Sequence, residues 1–433
     1  MKKNRTLALI LVVVMCVALL AACGGDGGNQ GGSQGGSTSG TIKIGYVNPS
    51  TGALAGNGEG AEWVIKQIET YVNDTMGGIE VDGGKKNIQV VMYDSASNSD
   101  TCTAMAQKLC DQDQVDLIVA IQTPETVIPV MNTAEAYQVP CVAIQAPVDA
   151  VAGALNAKAE WTAHAFWTIE KVYEQYRALW TAAGYAPSKD VKIGLAFAND
   201  ADGTAWHNIF AQRVAEDYTL VDPGQYPSGT SDFTTIVNTF KSENIDILAG
   251  TNIPPDFATL FTQLKNAGVQ VGCITMGKCC LLQGDVDALG DLAEGIMTEV
   301  WWAPTNTYTS ALTGVSCQQL GEQYLADNGR TMPQPAGYAY AALELAVEAF
   351  QKAGTTDKAK VRDALFAIDT TTMVGPIKYD QTMGNLTYGD TVIGGGQWQR
   401  GADGNLQLVI IDNTVYPEVP TTGSYVAGNA TNK

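Results

Sequence analysis

Histidine is nearly absent from this 433-residue chain, which contains only His164 and His207. Histidine is the side chain most used for proton transfer near neutral pH and a common zinc ligand, so histidine-based catalysis and most zinc sites are poorly supported. The chain also lacks a C-x-x-C pair and a phosphate-binding G-x-x-x-x-G-K-[ST] loop. A G-x-S-x-G match at residues 31–35 lies in low-complexity sequence without the strand and helix that a hydrolase nucleophile requires. We therefore predict that the protein is not an enzyme and has no cofactor and no metal site.

Basic residues are also scarce. The chain has 25 Lys and Arg against 45 Asp and Glu, which gives a formal net charge of −20. A field of this sign repels nucleic acid and anionic lipid surfaces. We predict no nucleic-acid partner.

Cysteine is present in an odd number once the first 23 residues, which hold two of the nine, are set aside. At least one of the remaining seven is therefore unpaired or pairs between chains. Cys141 lies inside an apolar run, so we expect it to be a buried free thiol. The seven are Cys102, Cys110, Cys141, Cys273, Cys279, Cys280 and Cys317.

The N-terminus has the pattern of an export signal. Three basic residues at positions 2–5 precede an apolar stretch, 7–20, which is shorter than the roughly 20 residues of a membrane span. The following Ala21-Ala22-Cys23 resembles the bacterial lipobox, which implies a signal peptide over 1–22 and lipidation of Cys23; the alternative is an ordinary signal with a chance cysteine. Residues 23–41 are rich in Gly and Ser and predict a flexible tether. We expect a lipid-anchored protein on the extracytoplasmic side of a cell membrane.

The remaining body, from residue 42 onwards, is long enough for two lobes. Apolar residues alternate at the start, as in a strand, and then recur at helical spacing over 61–72. Strands and helices alternate as far as Gln145, and the pattern restarts after Trp167. Helices follow at about 310–328, 338–352 and 358–368, and the tail is β-like. Alternation of this kind predicts an α/β fold with parallel sheets covered by helices on both faces.

Landmarks spread over nearly the whole body carry a family resemblance. The chain resembles the branched-chain amino-acid (Leu/Ile/Val-binding) type of ABC-transporter substrate-binding lipoprotein. The order and spacing of the landmarks carry this resemblance: Ile42–Gly52, Ile88–Asp94, Ser231–Phe233, Ala267-Gly268, Tyr338–Ala341, Ala353-Gly354, Gly375–Ile377 and Gln397–Gln399.

The resemblance implies the type I periplasmic-binding fold, in which two doubly wound parallel-sheet lobes are joined by a three-strand hinge. We place the three crossings near Ala163–Phe166, Trp301–Pro304 and Val374–Pro376. Lobe one would then comprise 42–164 and 302–375, and lobe two 165–301 and 376–433.

A ligand in such a fold lies between the lobes, at the carboxyl ends of the strands. The loops at those ends carry short hydroxyl and amide side chains. The candidate contacts are Ser50, Thr51, Asn57, Gln122, Thr123, Gln145 and Ala146 from lobe one, and Trp167, Asn199, Asp202, Asn252 and Gly277 from lobe two.

Three of these candidates have an expected role and a structural alternative. Thr123, with the amides at the start of its helix, would hold a carboxylate, or it is only an N-cap. Asp202 would receive an ammonium, or it belongs to a turn. Trp167 would form an apolar wall, or it is buried in the core. Lys278 is expected to be a solvated loop charge. Where Asp202 stands the family often carries an aromatic, and its acidic ammonium partner in the last loop is replaced by Lys278 and Cys279; both departures argue against a plain aliphatic amino acid.

These features predict a solute-binding lipoprotein that captures a small polar ligand, such as an amino acid, an amide or a related compound. It would act as a monomer and deliver the ligand to the permease subunits of an ABC importer. The alternative is a ligand-sensing lipoprotein that uses the same clamp to signal to a receptor.

Overall fold

Residues 40–427 are described by the structure, which is a computed structural model. The predicted signal peptide, Cys23 and most of the tether lie outside the described residues. The strands are β1 (Thr41–Asn48), β2 (Ile79–Val81), β3 (Gly84–Asp94), β4 (Leu117–Ile121), β5 (Cys141–Ile144), β6 (Thr162–Ala165), β7 (Lys192–Phe197), β8 (Thr219–Val221), β9 (Ile247–Asn252), β10 (Cys273–Lys278), β11 (Met297–Val300), β12 (Asp369–Thr372), β13 (Gly375–Lys378), β14 (Gln381–Met383), β15 (Leu386–Gly389), β16 (Gly394–Arg400) and β17 (Leu406–Asp412).

The helices alternate with the strands, as the sequence pattern predicts. They are α1 (Ala61–Thr70), α2 (Ser99–Asp111), α3 (Pro124–Tyr137), α4 (Val148–Gly153), α5 (Ile169–Ala182), α6 (Ala201–Asp217), α7 (Thr234–Glu243), α8 (Pro254–Asn266), α9 (Gln283–Leu289), α10 (Cys317–Asn328), α11 (Gln334–Ala353) and α12 (Lys358–Phe366). Short 3-10 helices cover Ala55–Gly58 and Gly290–Ala293, and a π-helical segment, Tyr71–Thr75, follows α1.

The strands form two mostly parallel sheets, one in each lobe. The first has the order β14-β15-β6-β5-β4-β1-β3-β2 and the second β17-β16-β11-β10-β9-β7-β8. Central strands such as β4 are buried at every position because helices cover both faces of a parallel sheet. Within these two sheets the antiparallel pairs lie towards the edges, where β2 pairs with β3, β14 with β15, and β16 and β17 complete the second sheet. β12 and β13 form a separate antiparallel hairpin. The expected α/β architecture is confirmed.

The third chain crossing lies later than the sequence analysis placed it. β15 pairs in parallel with β6, with Tyr388 opposite His164, so residues 376–389 still belong to the first lobe. The chain enters the second sheet only at β16, and the crossing therefore lies at about 390–393. The predicted boundary at 374–376 is wrong because Gly375, with φ +102°, forms part of the turn of the β12–β13 hairpin.

Two helix starts also differ from the predicted ones. α10 begins at Cys317 instead of about 310, because the Ser316 side chain caps it by accepting a hydrogen bond from the Gln319 amide at 3.2 Å. α11 begins at Gln334, four residues before the predicted start, with Pro335 in its first turn.

All seven cysteines in the described range are buried and free. Cys141 is fully buried in β5, as predicted. The Sγ atoms of Cys279 and Cys280 are 3.7 Å apart, which is a contact and not a bond.

Close packing of α11 on the second crossing segment generates a stability prediction. A Cβ on Gly337 would lie 2.4 Å from the indole ring of Trp302. That ring is buried and donates its Nε1 hydrogen to the Met373 carbonyl at 3.1 Å, so it cannot move aside cheaply. We expect Gly337→Ala to lower the free energy of unfolding by about 1–3 kcal/mol, although alanine favours a helix over glycine by about 1 kcal/mol.

Gly284 supplies the matched control, because it is exposed in the first turn of α9 and its added Cβ would meet open space. Gly284→Ala should leave the free energy of unfolding unchanged or raise it slightly. Denaturant unfolding followed by circular dichroism compares the two variants. A Gly337→Ala protein as stable as the wild type would contradict the packing argument.

Candidate ligand-binding site

A cavity of about 310 Å³, counted to its opening, lies between the two lobes at the carboxyl ends of their strands. The lobes are in contact around it, since α6 of the second lobe touches α3 and α4 of the first. The lining residues are Asn57, Gln122, Thr123, Pro124, Gln145, Pro147, Phe166, Trp167, Asp202, Trp206, Thr251, Lys278, Glu299 and Trp301.

Strand ends and helix starts deliver these side chains. Gln122 and Thr123 follow β4, and Gln145 follows β5, so the first lobe contributes two adjacent strand ends. Lys278 ends β10 in the second lobe, and Asp202 lies in the first turn of α6. Because the carboxyl ends of parallel strands meet at one edge of a sheet, residues distant in sequence converge here.

Three of the strand-end residues have a left-handed backbone. The φ angles are +97° at Gln122, +67° at Gln145 and +65° at Lys278. Such a conformation costs a non-glycine residue of order 1–3 kcal/mol and is maintained only where the surroundings enforce it. Gln145 Nε2 donates to Gln122 Oε1 at 2.8 Å, which couples the two first-lobe strand ends. Three of the nine non-glycine residues with positive φ in the described range thus lie at the cavity.

Many polar atoms of the lining are buried and find no hydrogen-bond partner among residues 40–427. They come from both lobes: Gln122 Nε2, Thr123 Oγ1, Gln145 Oε1, Trp167 Nε1, Asp202 Oδ1, Trp206 Nε1 and Thr251 Oγ1. A buried polar group without a partner costs about 1–3 kcal/mol. Their convergence on one cavity indicates a surface arranged to bind the polar atoms of a ligand.

Lys278 is the charged centre of the site and is only 8% exposed. Its Nζ lies 3.1 Å from Asp202 Oδ2 and 3.3 Å from Glu125 Oε2. Glu125 belongs to α3 of the first lobe and Asp202 to α6 of the second, so this cluster joins the lobes. The expectation of a solvated loop charge at Lys278 is wrong, because the two carboxylates stabilise the ammonium in a buried position.

The pKa values of the three groups respond to burial and to one another. Burial raises the pKa of Asp202 to about 7; Lys278 opposes this shift, and Glu125 and Asp200 add to it. For Glu125, burial acts to raise the pKa, but the Lys278 ammonium brings it below its usual value. Burial acts to lower the pKa of Lys278, and the surrounding carboxylates, Glu125 first, raise it above its usual value. Lys278 therefore remains protonated at neutral pH.

Glu299 is a further buried acid of the lining, 1% exposed at the third position of β11. Burial raises its pKa, while a hydrogen bond from the Tyr176 hydroxyl acts to lower it. Glu299 thus adds an acidic side chain on the second-lobe side of the cavity.

Aromatic rings form the apolar wall. The ring centroid of Trp167 lies 4.3 Å from that of Phe166, 5.9 Å from Trp206 and 6.2 Å from Trp301. Trp167 is only 1% exposed, so it is part of the core and lines the cavity at the same time. Trp167 therefore has both of the positions expected for it, in the core and in the apolar wall of the cavity.

Six of the predicted contact residues are brought together in the lining. Thr123 is the N-cap residue of α3, and its side chain also lines the cavity. The six are Asn57, Gln122, Thr123, Gln145, Trp167 and Asp202.

Six other predicted contact residues lie away from the cavity, and the first two are held by Asp94. The Thr51 hydroxyl donates to Asp94 Oδ2 at 2.6 Å, and the Ser50 amide donates to Asp94 Oδ1 at 3.0 Å. Both residues are exposed. Their hydrogen bonds close the loop after β1 instead of facing the ligand.

The remaining four support the lining from behind or from the side. Asn252 Nδ2 donates to the Ala196 carbonyl at 3.1 Å, and Asn199 is exposed. Ala146 is buried, with its carbonyl 2.7 Å from a ring nitrogen of His164. A Cβ on Gly277 would lie 3.2 Å from Glu299 Oε1 and from the Trp206 ring, so Gly277 leaves room for two lining side chains.

Sequence reasoning missed Trp206, Glu299 and the burial of Lys278. Trp206 follows Asp202 by four residues on α6, so helical periodicity could have placed both on one face. Glu299 is an acid inside an otherwise apolar strand, a pattern that points to function because buried acids are rare. The pairing of Lys278 had no local indicator, since Glu125 is 153 residues away.

Metal sites and membrane-spanning helices are two further features of interest in the described residues. No group of three or more His, Cys, Asp or Glu side chains within 40–427 is arranged to hold a metal ion. None of the helices in the described range is long and apolar enough to span a membrane.

Comparison with known proteins agrees with this geometry. The sequence model of a family described as periplasmic binding protein matches residues 41–391. The Leu/Ile/Val-binding protein homolog 8 of Brucella abortus (strain 2308) is 26% identical over 300 residues, which cover 66% of this chain and 70% of that protein.

Solved structures share the fold at lower identity. The branched-chain amino acid transporter substrate binding protein LivJ of Streptococcus pneumoniae, in complex with isoleucine, superposes with a TM-score of 0.67 at 19% identity over 85% of this chain and 99% of LivJ. A solute binding protein of an ABC transporter from Rhodopseudomonas palustris BisB5, in complex with 3,4-dihydroxybenzoic acid, gives a TM-score of 0.65 at 19% identity over 86% of this chain and 96% of that chain.

The Lys278 cluster generates a stability prediction. Lys278→Met should lower the free energy of unfolding by about 3–5 kcal/mol, because it leaves buried carboxylates without their counter-ion. Adding Asp202→Asn should restore part of the loss. Lys265→Met is the matched control at an exposed lysine of α8 and should change stability by no more than about 0.5 kcal/mol. Urea unfolding at pH 7 measures all three; equal stability of the two single variants would refute the role of the cluster.

Proposed function

Because the chain belongs to the periplasmic binding protein family, we propose that it captures a small polar solute between its two lobes and delivers it to the permease subunits of an ABC importer. The observation that carries this proposal is the convergence of buried, unpartnered polar atoms from both lobes on one cavity. A ligand that bonds both sets of atoms at once stabilises the closed arrangement of the lobes. That closed arrangement is what a membrane transporter can distinguish from the open one.

The ligand we propose is an amino acid, an amide or a related compound. Short neutral groups dominate the first-lobe side, where Gln122, Thr123 and Gln145 offer amide and hydroxyl atoms. Trp167 supplies an apolar wall, and Asp202 offers a carboxylate oxygen for an ammonium or amide N–H group. The structural neighbours were solved with isoleucine and with 3,4-dihydroxybenzoic acid, which are small molecules and not oligomers.

We further propose that the protein is exported and lipid-anchored through Cys23, and that it acts as a monomer. Support for the anchor comes from the sequence: a basic segment, an apolar stretch and a small-residue site precede the cysteine, and a Gly/Ser-rich tether follows it. Such a tether lets the body reach a membrane partner while remaining clear of the bilayer.

Ligand binding should stabilise and compact the protein. A thermal-shift screen with amino acids, amides, urea-like compounds, aromatic acids and sugars identifies a ligand. At 100-fold excess over Kd the expected stabilisation is about 2.7 kcal/mol, and small-angle scattering should show a smaller radius of gyration than for the open, ligand-free form. A confirmed ligand that leaves the radius unchanged would contradict closure of the lobes.

A pair of threonines on α3 tests whether the ligand occupies this cavity. Thr123→Val removes a hydroxyl of the lining, and we expect it to weaken binding several-fold, as loss of a neutral hydrogen bond does. Thr133 is equally buried, but its hydroxyl donates to the Pro129 carbonyl at 2.9 Å within the same helix. Thr133→Val should leave the Kd unchanged in calorimetry. An equal loss of affinity in both variants would show that the ligand does not bind in this cavity.

Anchoring has its own test. Cys23→Ser should leave an unprocessed precursor or release the protein from the membrane fraction, because the thiol is the site of acylation. Mass spectrometry of the wild-type N-terminus should find a lipidated cysteine at position 23. A mature N-terminus at another residue without lipid would disprove the anchor and leave the binding function untouched.

A further inference from the structure

Acidic side chains outnumber basic ones around the cavity. Glu125, Asp202 and Glu299 are accompanied by a single base, Lys278. Asp202, Glu299 and Lys278 are each at least 92% buried. The site therefore offers a ligand more acidic than basic groups.

Lys278 does not have the geometry of a free anion receptor. Its ammonium already lies within 3.3 Å of two carboxylates. After this pairing, Asp202 Oδ1 and Glu125 Oε1 are still buried acceptors without a hydrogen-bond partner among residues 40–427. The acceptor oxygens that remain in the cluster are therefore suited to a positively charged hydrogen-bond donor.

The start of α3, where the sequence predicted a carboxylate, is already occupied by negative charge. Glu125 lies in the first turn of this helix, so its own carboxylate complements the positive end of the helix dipole. The Thr123 amide is also engaged, since it donates to Thr126 Oγ1 at 3.1 Å. A ligand carboxylate placed here would meet a like charge.

Aromatic rings border the acids of the cavity. Trp167, Trp206 and Phe166 line the cavity beside Asp202 and Glu299. The carboxylates therefore lie in an apolar surround, where an oppositely charged partner is attracted more strongly than in water.

We infer that the ligand carries a net positive charge, and that its amine or guanidinium group lies against Asp202 and Glu299, beside the indole rings of Trp167 and Trp206. The neutral amide and hydroxyl groups of Gln122, Thr123 and Thr251 bond the rest of the molecule. This inference rests on the proposed solute-binding function and narrows the ligand within it.

The test uses two matched probe series, measured by calorimetry with the purified protein at pH 8. The first series shares one alkyl skeleton and consists of 3-methylbutylamine (net +1), leucine (net zero) and 4-methylpentanoate (net −1). The second is arginine (net +1) against citrulline (net zero), which replaces the guanidinium by a urea group of the same shape. We expect the cation to bind at least about tenfold more tightly than its partners in at least one series, since charge-assisted hydrogen bonds are roughly twice as strong as neutral ones.

Variants locate the cationic group. Asp202→Asn and, independently, Glu299→Gln should weaken cation binding by about tenfold or more. Asp190→Asn alters an exposed acid of the second lobe and changes the net charge equally, so it should leave the Kd unchanged. Circular dichroism establishes that each variant is folded. If Asp202→Asn does not fold, the affinity of Glu299→Gln for the cation tests the inference.

The outcomes separate this inference from the proposed function. Tighter binding of a neutral or anionic member, or failure of every cation to bind, overturns the cationic ligand. If the broad screen then finds a neutral or acidic ligand that closes the lobes, the solute-binding function stands without the cation. If no solute of any charge closes the lobes, the proposed function itself fails.

Discussion

Burial of the Lys278 ammonium between carboxylates of opposite lobes is the interaction on which the cleft depends. Moving a charged side chain out of water is unfavourable by several kcal/mol unless partners and hydrogen bonds compensate. Here the compensation comes from Glu125 of the first lobe and Asp202 of the second. The ion cluster therefore exists only where the lobes meet, because Glu125 and Asp202 come from different lobes.

The sheets of the two lobes fix the positions of the side chains in this cluster. Parallel sheets covered by helices present their strand ends at one edge, and Gln122, Gln145 and Lys278 have left-handed backbones there. A site made of strained strand ends and unpaired polar atoms lowers the stability of the empty closed form. Packing in the cores of the lobes offsets this loss of stability. A ligand that hydrogen-bonds the unpaired polar atoms would remove it.

Much of the fold was readable from local patterns. Alternation of apolar residues from Ile42 and helical spacing from Ala61 predicted the first βα unit, because side-chain periodicity follows directly from backbone geometry. Half of the candidate site was also readable, since polar residues such as Gln122 and Gln145 directly follow buried strands. The loop after β1 misled, because Ser50 and Thr51 bond Asp94 at the end of the neighbouring strand. The predicted position of the third crossing was also wrong. A turn at Gly375 has the same sequence pattern whether the chain stays in the first lobe or crosses to the second.

By itself, the sequence determined the α/β class, the two-lobed organisation, the exported character expected from its N-terminus and the strand ends that carry polar groups. Each of these depends on residues close together in the chain. Tertiary structure alone decided that Lys278 is buried and that residues 376–389 remain with the first lobe. Each of these depends on partners far apart in the chain, as with the 153 residues between Glu125 and Lys278. Long-range electrostatic compensation and strand pairing leave no periodic pattern in a single sequence, and for that reason only the folded arrangement reveals them.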